Sequence, residues 1–160
     1  MERVMLAHGS GGRLSHELIV NLFQKYLANP HLNQMNDAVL LPGGERLAVS
    51  TDSFVVSPLF FRGGNIGKLA VCGTVNDLAV SGAIPKFMSL ALILEEGLPM
   101  AELEEIVKSV AETAAEAGVA IVCGDTKVVE RGSADKIFIN TTGLGYITDR
   151  LVGPERIRPG

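Results

Sequence analysis

Apolar positions that recur every three and four residues predict three helices in this chain. Between residues 14 and 27 the apolar side chains fall on one helical face. A second helix is predicted from residue 66 to about residue 82, with Asn65 in position to cap its first turn. The third follows Pro99, which suits a first helical turn, and Gly118 is expected to end it.

Continuous apolar runs between turn residues predict the strands. Residues 87–94 are strongly apolar and are bounded by Pro85 and Gly97, which indicates a buried strand. The other predicted strands are 38–41, 46–56, 119–129 with an interruption at Gly124 and Asp125, and 137–147. Strands separated by two long helices predict an α+β fold, in which the helices pack on one face of a mixed β-sheet.

Composition restricts the function classes more than it identifies one. The 160 residues suit a single domain, with 47% hydrophobic and 20% charged residues. A net charge of −4 without a basic stripe argues against a nucleic-acid binder. No apolar run approaches membrane-spanning length, and the first residues lack the pattern of a signal peptide. We therefore expect a cytoplasmic protein whose two cysteines, Cys72 and Cys123, are reduced and buried in the core.

Four aspartates are candidate metal ligands, because each is expected where a strand or a helix meets a turn. Asp52 and Asp125 have apolar strand neighbours, where an unpaired carboxylate costs free energy. Carboxylates that converge from different elements suit a hard cation, and Mg²⁺ shared with a phosphate chain fits best. The alternative is that each aspartate separately caps a helix or closes a turn. The four candidates are Asp37, Asp52, Asp77 and Asp125.

A glycine-rich segment, His8-Gly-Ser-Gly-Gly12, precedes the first helix. Glycines let backbone N–H groups approach a phosphate, and the N-terminus of a helix favours negative charge. The spacing is not that of a Walker loop, and a flexible N-terminal arm is the alternative. Lys68 and Lys127 can each reach phosphate oxygens as a point charge, or can equally lie on the surface as ordinary lysines.

Four long runs of sequence are more specific than any of these motifs. The runs are Leu6-Ala-His-Gly-Ser-Gly-Gly12, the stretch from Pro58 to Pro85, Ile93-Leu-Glu-Glu-Gly-Leu-Pro99, and Val122-Cys-Gly-Asp-Thr-Lys-Val-Val129. They resemble the HypE family of hydrogenase-maturation proteins, over nearly the whole chain. This family belongs to a superfamily with aminoimidazole ribonucleotide synthetase, selenophosphate synthetase and thiamine-phosphate kinase.

The resemblance implies a domain that binds ATP and Mg²⁺. In the family this domain is α+β and pairs with a second copy, so that strands of both subunits form a shared barrel with the ATP groove at the interface. It implies that the four aspartates hold the metal and that the glycine-rich arm closes over the phosphates, with Lys127 as the candidate catalytic residue. The nucleotide-binding residues implied are Gly9, Ser10, Gly11, Gly12, Asn65, Lys68, Asn76 and Thr126.

The activity implied for the whole protein is an ATP-dependent dehydration. A carbamoyl group on a C-terminal cysteine is activated at its oxygen and becomes a thiocyanate, the source of cyanide for the iron of nickel–iron hydrogenase. Implied partners are a second copy of the chain, a HypF-type carbamoyltransferase, and HypC-type and HypD-type assembly proteins.

The sequence departs from the family because it has no C-terminal Pro-Arg-Ile-Cys tail. We expect residues 1–152 to form the ATP-binding domain and residues 153–160 to be a linker to a second domain, and we expect this chain by itself to be inactive. Two alternatives stay open. One is another ATP-dependent synthase or kinase of the superfamily, such as a selenophosphate synthetase, whose arm would be expected to carry a reactive Cys and Lys. The other is a non-catalytic dimerisation or docking module.

Overall fold

The computed structural model describes residues 3–35, 39, 41–43, 46–147 and 158. In this part of the chain the β-structure consists of one four-stranded sheet and one short hairpin. The strands of the sheet are β1 (Leu47–Phe54), β4 (Ala83–Glu95), β5 (Ala120–Val129) and β6 (Ile137–Ile147), and those of the hairpin are β2 (Phe60–Phe61) and β3 (Gly64–Asn65).

The sheet is mixed, as the sequence predicts, and its strand order is β1-β6-β4-β5. β6 pairs antiparallel with both β1 and β4, whereas β4 and β5 are parallel. Parallel neighbours need a crossover connection, and the long helix between them supplies it. β1 and β5 are therefore the two outer strands, at opposite edges of the sheet.

The helical segments begin and end close to the predicted residues. Asn65 caps the long helix after β3, since its Oδ1 accepts hydrogen bonds from the N–H groups of Gly67 (2.9 Å) and Lys68 (3.2 Å). Gly118 ends the crossover helix in a left-handed conformation, with φ of 66°. The helical segments of the described residues are 3₁₀ turns at Leu6–Gly9 and Leu32–Gln34, α1 (Arg13–Leu18), a π-helical turn (Ile19–Phe23), α2 (Gln24–Leu27), α3 (Ile66–Val80) and α4 (Met100–Ala117).

The helices cover one face of the sheet, which makes the fold α+β as predicted. α3 contacts β1, β6 and β4, and α4 contacts α3 and β5. Buried aliphatic residues of α4, such as Ile106 and Val110, join the same core cluster as Met88 and Leu94 of β4 and Ile139 of β6. Burial of this apolar surface is the main source of stability for such a layer arrangement.

The opposite face of the sheet is open in the single chain. Successive strand residues point to opposite faces, and positions that pair across the strands share a face. Ile137, Ile139 and Thr141 of β6 are buried against the helices. The alternate residues Phe138, Asn140 and Thr142 point to the opposite face, and none of them is fully buried. Their partners on β4, Ile93, Ala91 and Ser89, are not fully buried either.

Some local predictions are wrong. The expected interruption of the strand at Gly124 and Asp125 is absent, because β5 continues through both; the irregular register lies earlier, where Met88 pairs with Ile121 and Ser89 with Cys123. β4 begins at Ala83 rather than Phe87, since a register shift between Pro85 and Phe87 accommodates the proline within the strand.

Other corrections concern short segments of the chain. The predicted loop at 61–64 lies within a short hairpin formed by β2 and β3. The first helix contains a π-helical turn at Ile19–Phe23 that the sequence did not predict. The predicted strand 38–41 lies partly outside the described residues; Val39 and Leu41, which are described, are not in a strand.

Candidate functional site

The glycine-rich loop and β5 enclose a groove of about 600 Å³. His8, Gly9 and Gly11 line it on one side, and Asp125 and Thr126 line it on the other. Apolar residues of the N-terminal helical segments and of β4 form the remaining wall, including Phe23, Leu27, Leu90 and Leu92. The glycine-rich loop and the Asp125-Thr126 segment, which lie more than a hundred positions apart in the sequence, thus line the same groove. The groove is roughly the size of a small-molecule pocket.

The loop makes close contacts with α1 and β5. Residues Leu6–Gly9 form a 3₁₀ turn, and the Ser15 hydroxyl accepts a hydrogen bond from the Gly11 N–H (2.9 Å). At Gly9 the loop approaches β5 so closely that a Cβ atom would lie 2.6 Å from the backbone nitrogen of Val128. Only glycine therefore fits this position without displacing the loop.

A second polar cluster lies at the opposite edge of the sheet, where α3 packs on β1. Thr74 Oγ1 donates a hydrogen bond to Asp52 Oδ2 (2.7 Å), and Ser50 Oγ donates one to Asp77 Oδ2 (3.1 Å). Asp52 is half-buried and Asp77 is exposed. We call this cluster the α3–β1 seam. It unites two of the predicted metal ligands, and it shows that Asp77 faces β1 from α3.

Asp125 is remote from this seam within one chain. Three strand spacings separate β1 from β5, which is roughly 14 Å. Asp52 pairs with Thr141 of β6, on the helix-covered face, whereas Asp125 pairs with Ala91, whose partner Asn140 belongs to the open face. Among the described residues no three His, Cys, Asp or Glu side chains lie together as a metal site, and the predicted ligand Asp37 lies outside them.

The element positions of the aspartates differ from the sequence prediction. Asp125 lies in the middle of β5 and not at an element end, and Asp52 lies two residues before the end of β1. Asp77 lies in the last turn of α3. Local pattern did not reveal this, because the apolar neighbours that identify a strand are similar at its middle and its end.

The remaining candidates lie in three places: the loop, β5 and α3. Ser10 and Gly12 belong to the loop, where Ser10 Oγ donates to the carbonyl oxygen of Ala7 (3.0 Å). Lys127 is exposed two residues after Asp125, on the same side of β5. Three candidates lie on or beside α3, away from the groove: Asn65, whose Oδ1 is occupied by capping, and the exposed Lys68 and Asn76.

Sequence reasoning missed two buried hydroxyls and a hydrogen bond that the ring of His8 accepts. Thr74 and Thr141 are fully buried at the seam, with their hydroxyl oxygens 2.6 Å apart. Their only sequence signal is a polar residue at an apolar position of α3 and of β6. His8 Nδ1 accepts a hydrogen bond from the Met5 N–H (2.9 Å), which fixes the ring beside the groove.

The cysteines do not supply a reactive thiol. Both are free and half-buried rather than fully buried as predicted. Cys123 lines the groove, and burial raises the pKa of its thiol, which disfavours the nucleophilic thiolate at neutral pH.

Away from the groove, Lys25 and Tyr26 of α2 donate hydrogen bonds to Glu104 of α4 and so connect the two helices. These bonds, that of Lys25 first, lower the pKa of Glu104 below its usual value.

Comparison with known proteins places these features in context. The family described as AIR synthase related protein, N-terminal domain, matches residues 35–147. Carbamoyl dehydratase HypE of Escherichia coli (strain K12) is 59% identical over 153 residues, which are 92% of this chain and 46% of that protein. The chain thus spans about half the length of the curated relatives that it matches. No helix in the described residues is long and apolar enough to cross a membrane.

Solved structures agree with the sequence comparison. A crystal structure of hydrogenase maturation protein HypE in complex with ATP superposes with a TM-score of 0.95 at 55% identity, over 98% of this chain and 47% of that one. A crystal structure of a HypE–HypF complex gives a TM-score of 0.66 at 55% identity, over 84% of this chain and 44% of that one.

Proposed function

The chain belongs to the AIR synthase related protein family, whose N-terminal domain it contains, and from this we propose that it is the ATP-binding domain of a carbamoyl dehydratase of hydrogenase maturation. The activity is that named for its relative from Escherichia coli, and a relative of similar identity has been crystallised with ATP. A cytoplasmic location is part of the proposal, because ATP is the cosubstrate.

The observation that carries the proposal is the groove between the glycine-rich loop and β5. A polyphosphate needs close approach of backbone N–H groups, and Gly9 and Gly11 offer it beside the start of α1. The apolar wall offers a surface for a nucleobase. Thr126 is a hydroxyl donor within the groove, and Lys127 contributes a point charge beside it.

Magnesium fits the donors of the α3–β1 seam. Mg²⁺ is commonly held by one or two carboxylates together with phosphate oxygens and water. Asp52 and Asp77 provide two carboxylates on one seam, each with one oxygen fixed by a hydroxyl. When bound, the ion would neutralise charge on the phosphates during phosphoryl transfer. The role of the protein is to hold these carboxylates in place before the nucleotide arrives.

The groove and the seam belong to opposite edges of the sheet, so we infer that a second copy of the chain joins them. If two four-stranded sheets close into one barrel about a twofold axis along the barrel, β5 of one copy lies beside β1 of the other. The strand that carries Asp125 in one chain would then lie beside the strand that carries Asp52 in its partner, with the two side chains starting from opposite faces of the joined sheet. Apolar side chains on the open face support such pairing, since Val49, Ile84 and Ile93 are 60%, 48% and 42% exposed.

The proposed chemistry of the whole protein requires a carbamoylated thiol, whose carbamoyl oxygen accepts the phosphoryl group and leaves with it as phosphate. Positioning and charge stabilisation supply most of the catalysis in phosphoryl transfer, which suits a site of glycines, carboxylates and a lysine. A HypF-type carbamoyltransferase is the proposed donor of the carbamoyl group, supported by the crystallised HypE–HypF complex of a relative. HypC-type and HypD-type assembly proteins remain predictions of the resemblance.

Calorimetric titration of ATP with MgCl₂ into the chain tests this proposal. We expect wild type to bind, and Asp52→Asn and Asp125→Asn each to weaken binding about tenfold or more, because each loses charge beside the phosphates or metal. Glu116→Gln, on the exposed face of α4, is the matched control and should bind as wild type. Unchanged affinity in both aspartate variants, with the fold intact by circular dichroism, would refute the assignment of the site.

A further inference from the structure

The α3–β1 seam contains a chain of hydroxyls whose direction can be derived. Thr74 Oγ1 lies 2.7 Å from Asp52 Oδ2 and 2.6 Å from Thr141 Oγ1. A carboxylate only accepts hydrogen bonds, so the single hydroxyl proton of Thr74 is directed to Asp52. Thr141 must then be the donor to Thr74. The protons run in one direction, from Thr141 through Thr74 to the carboxylate.

Burial makes this arrangement rigid. Thr74 and Thr141 have no exposed surface, and a buried hydroxyl without a partner costs free energy. Hydrogen bonds linked in series also polarise and strengthen one another. The close packing of α3 on the sheet is required for the contact, because a Cβ atom at Gly143 would lie 2.6 Å from Thr74 Cγ2. A larger residue there would push the helix away.

We propose that Thr74 and Thr141 are positioning residues, which fix the orientation of the Asp52 carboxylate for the metal of a bound nucleotide. Because Thr74 holds Oδ2, the other carboxylate oxygen of Asp52 points in a fixed direction. The carboxylate therefore does not have to rotate when a cation binds. Partners that orient a metal ligand strengthen metal binding in this way. The inference rests on the proposed function, which makes Asp52 a ligand.

The test separates positioning from stability by removing both hydroxyls together. Thr74→Val alone leaves the buried Thr141 proton without its acceptor, whereas the double variant Thr74→Val/Thr141→Val leaves no unpaired hydroxyl. Thr74→Ser keeps the donor. Thr113→Val is the control: it removes a buried hydroxyl from α4, which donates to the carbonyl oxygen of Ser109 in the same helix (2.7 Å) and is remote from the seam.

ATP affinity is measured by calorimetry at saturating MgCl₂ and again in EDTA, and the ratio gives the enhancement by magnesium. We expect the double variant to lose about tenfold or more of this enhancement, with its affinity in EDTA unchanged. Thr74→Ser and Thr113→Val should keep the enhancement of wild type. Full enhancement in the folded double variant overturns the inference.

The same titrations distinguish this failure from failure of the proposed function. If Asp52→Asn loses the magnesium enhancement while the double threonine variant keeps it, only the positioning role is wrong. If Asp52→Asn also keeps it, or if wild type binds no ATP, the metal assignment fails and the positioning role fails with it.

Discussion

At the scale of single residues, the groove depends on how closely the glycine-rich loop can approach β5. Gly9 faces the backbone of Val128, and its position allows no Cβ atom. Gly12 belongs to the same loop, but a Cβ atom there would meet nothing closer than Ser10 Oγ at 3.8 Å. The two glycines therefore differ in the space available for a side chain, although they lie three residues apart in one motif.

We expect Gly9→Ala to displace the loop from β5 and to weaken ATP binding, because the added methyl group forces the backbone atoms apart. Overpacking of this kind costs roughly 1–3 kcal/mol in the free energy of unfolding. Gly12→Ala is the matched control for the steric effect and should retain the stability of wild type. Urea unfolding and ATP titration of the two variants measure the difference; equal behaviour of both would contradict the close approach.

Residue types predicted which residues share a groove better than they predicted how the aspartates are arranged. The sequence predicts that the loop, Asp125 and Thr126 serve one site, and they line one groove. It also predicts four converging aspartates, but among the described residues a single chain brings only Asp52 and Asp77 to one seam, and Asp37 lies outside these residues. The separation depends on strand order, which is set by long-range pairing between β1 and β6 that no local pattern encodes.

At the scale of elements, α3 connects the fold to the site. Its first turn is capped by Asn65, and its last two turns present Thr74 and Asp77 to β1. The sequence revealed the start of this helix, because a capping side chain followed by an apolar run is a local signal. It did not reveal the bulged β4 or the uninterrupted β5, since neighbouring strands stabilise those backbones.

Asn65→Ala should lower the free energy of unfolding by about 1 kcal/mol, because two N–H groups of α3 lose their acceptor. Asn65→Asp retains an oxygen acceptor at the cap and should unfold at nearly the same urea concentration as wild type. The aspartate variant also examines the predicted nucleotide contact. A loss of ATP affinity in it, without a loss of stability, would assign the Asn65 amide to the ligand; wild-type stability of Asn65→Ala would contradict the capping role.

At the scale of the whole molecule, the arrangement of sheet edges suggests how two chains complete the site. The open face carries exposed aliphatic residues, and the two half-sites lie on outer strands. In the proposed dimer, symmetric pairing would cover the exposed aliphatic residues and bring the two half-sites together. A chain that fails to pair would keep its groove and its seam intact but apart.

Mixing two variants that each bind ATP weakly tests whether the site is built from both chains of the dimer. Asp52→Asn and Asp125→Asn chains should each bind ATP weakly alone, yet an exchanged mixture contains dimers with one intact and one doubly altered site. For random exchange we expect about a quarter of the wild-type number of tight sites. Calorimetry gives the number of sites, and sedimentation velocity confirms the dimer. If the exchanged mixture of stable dimers gains no tight ATP sites, the composite site is contradicted: the two aspartates would then either serve one site within a single chain or have separate roles.

The position of β6 in the sheet has a consequence for the order of folding. β6 is the last of the described strands along the chain, yet it lies between β1 and β4 and pairs with both. During synthesis, β1 therefore has no neighbour in this sheet until residues 137–147 leave the ribosome. The unit β4–α4–β5 can form earlier because its contacts are closer in sequence. We infer that nascent chains hold an unpaired β1 edge, the kind of surface that chaperones shield from aggregation, until that late strand is inserted.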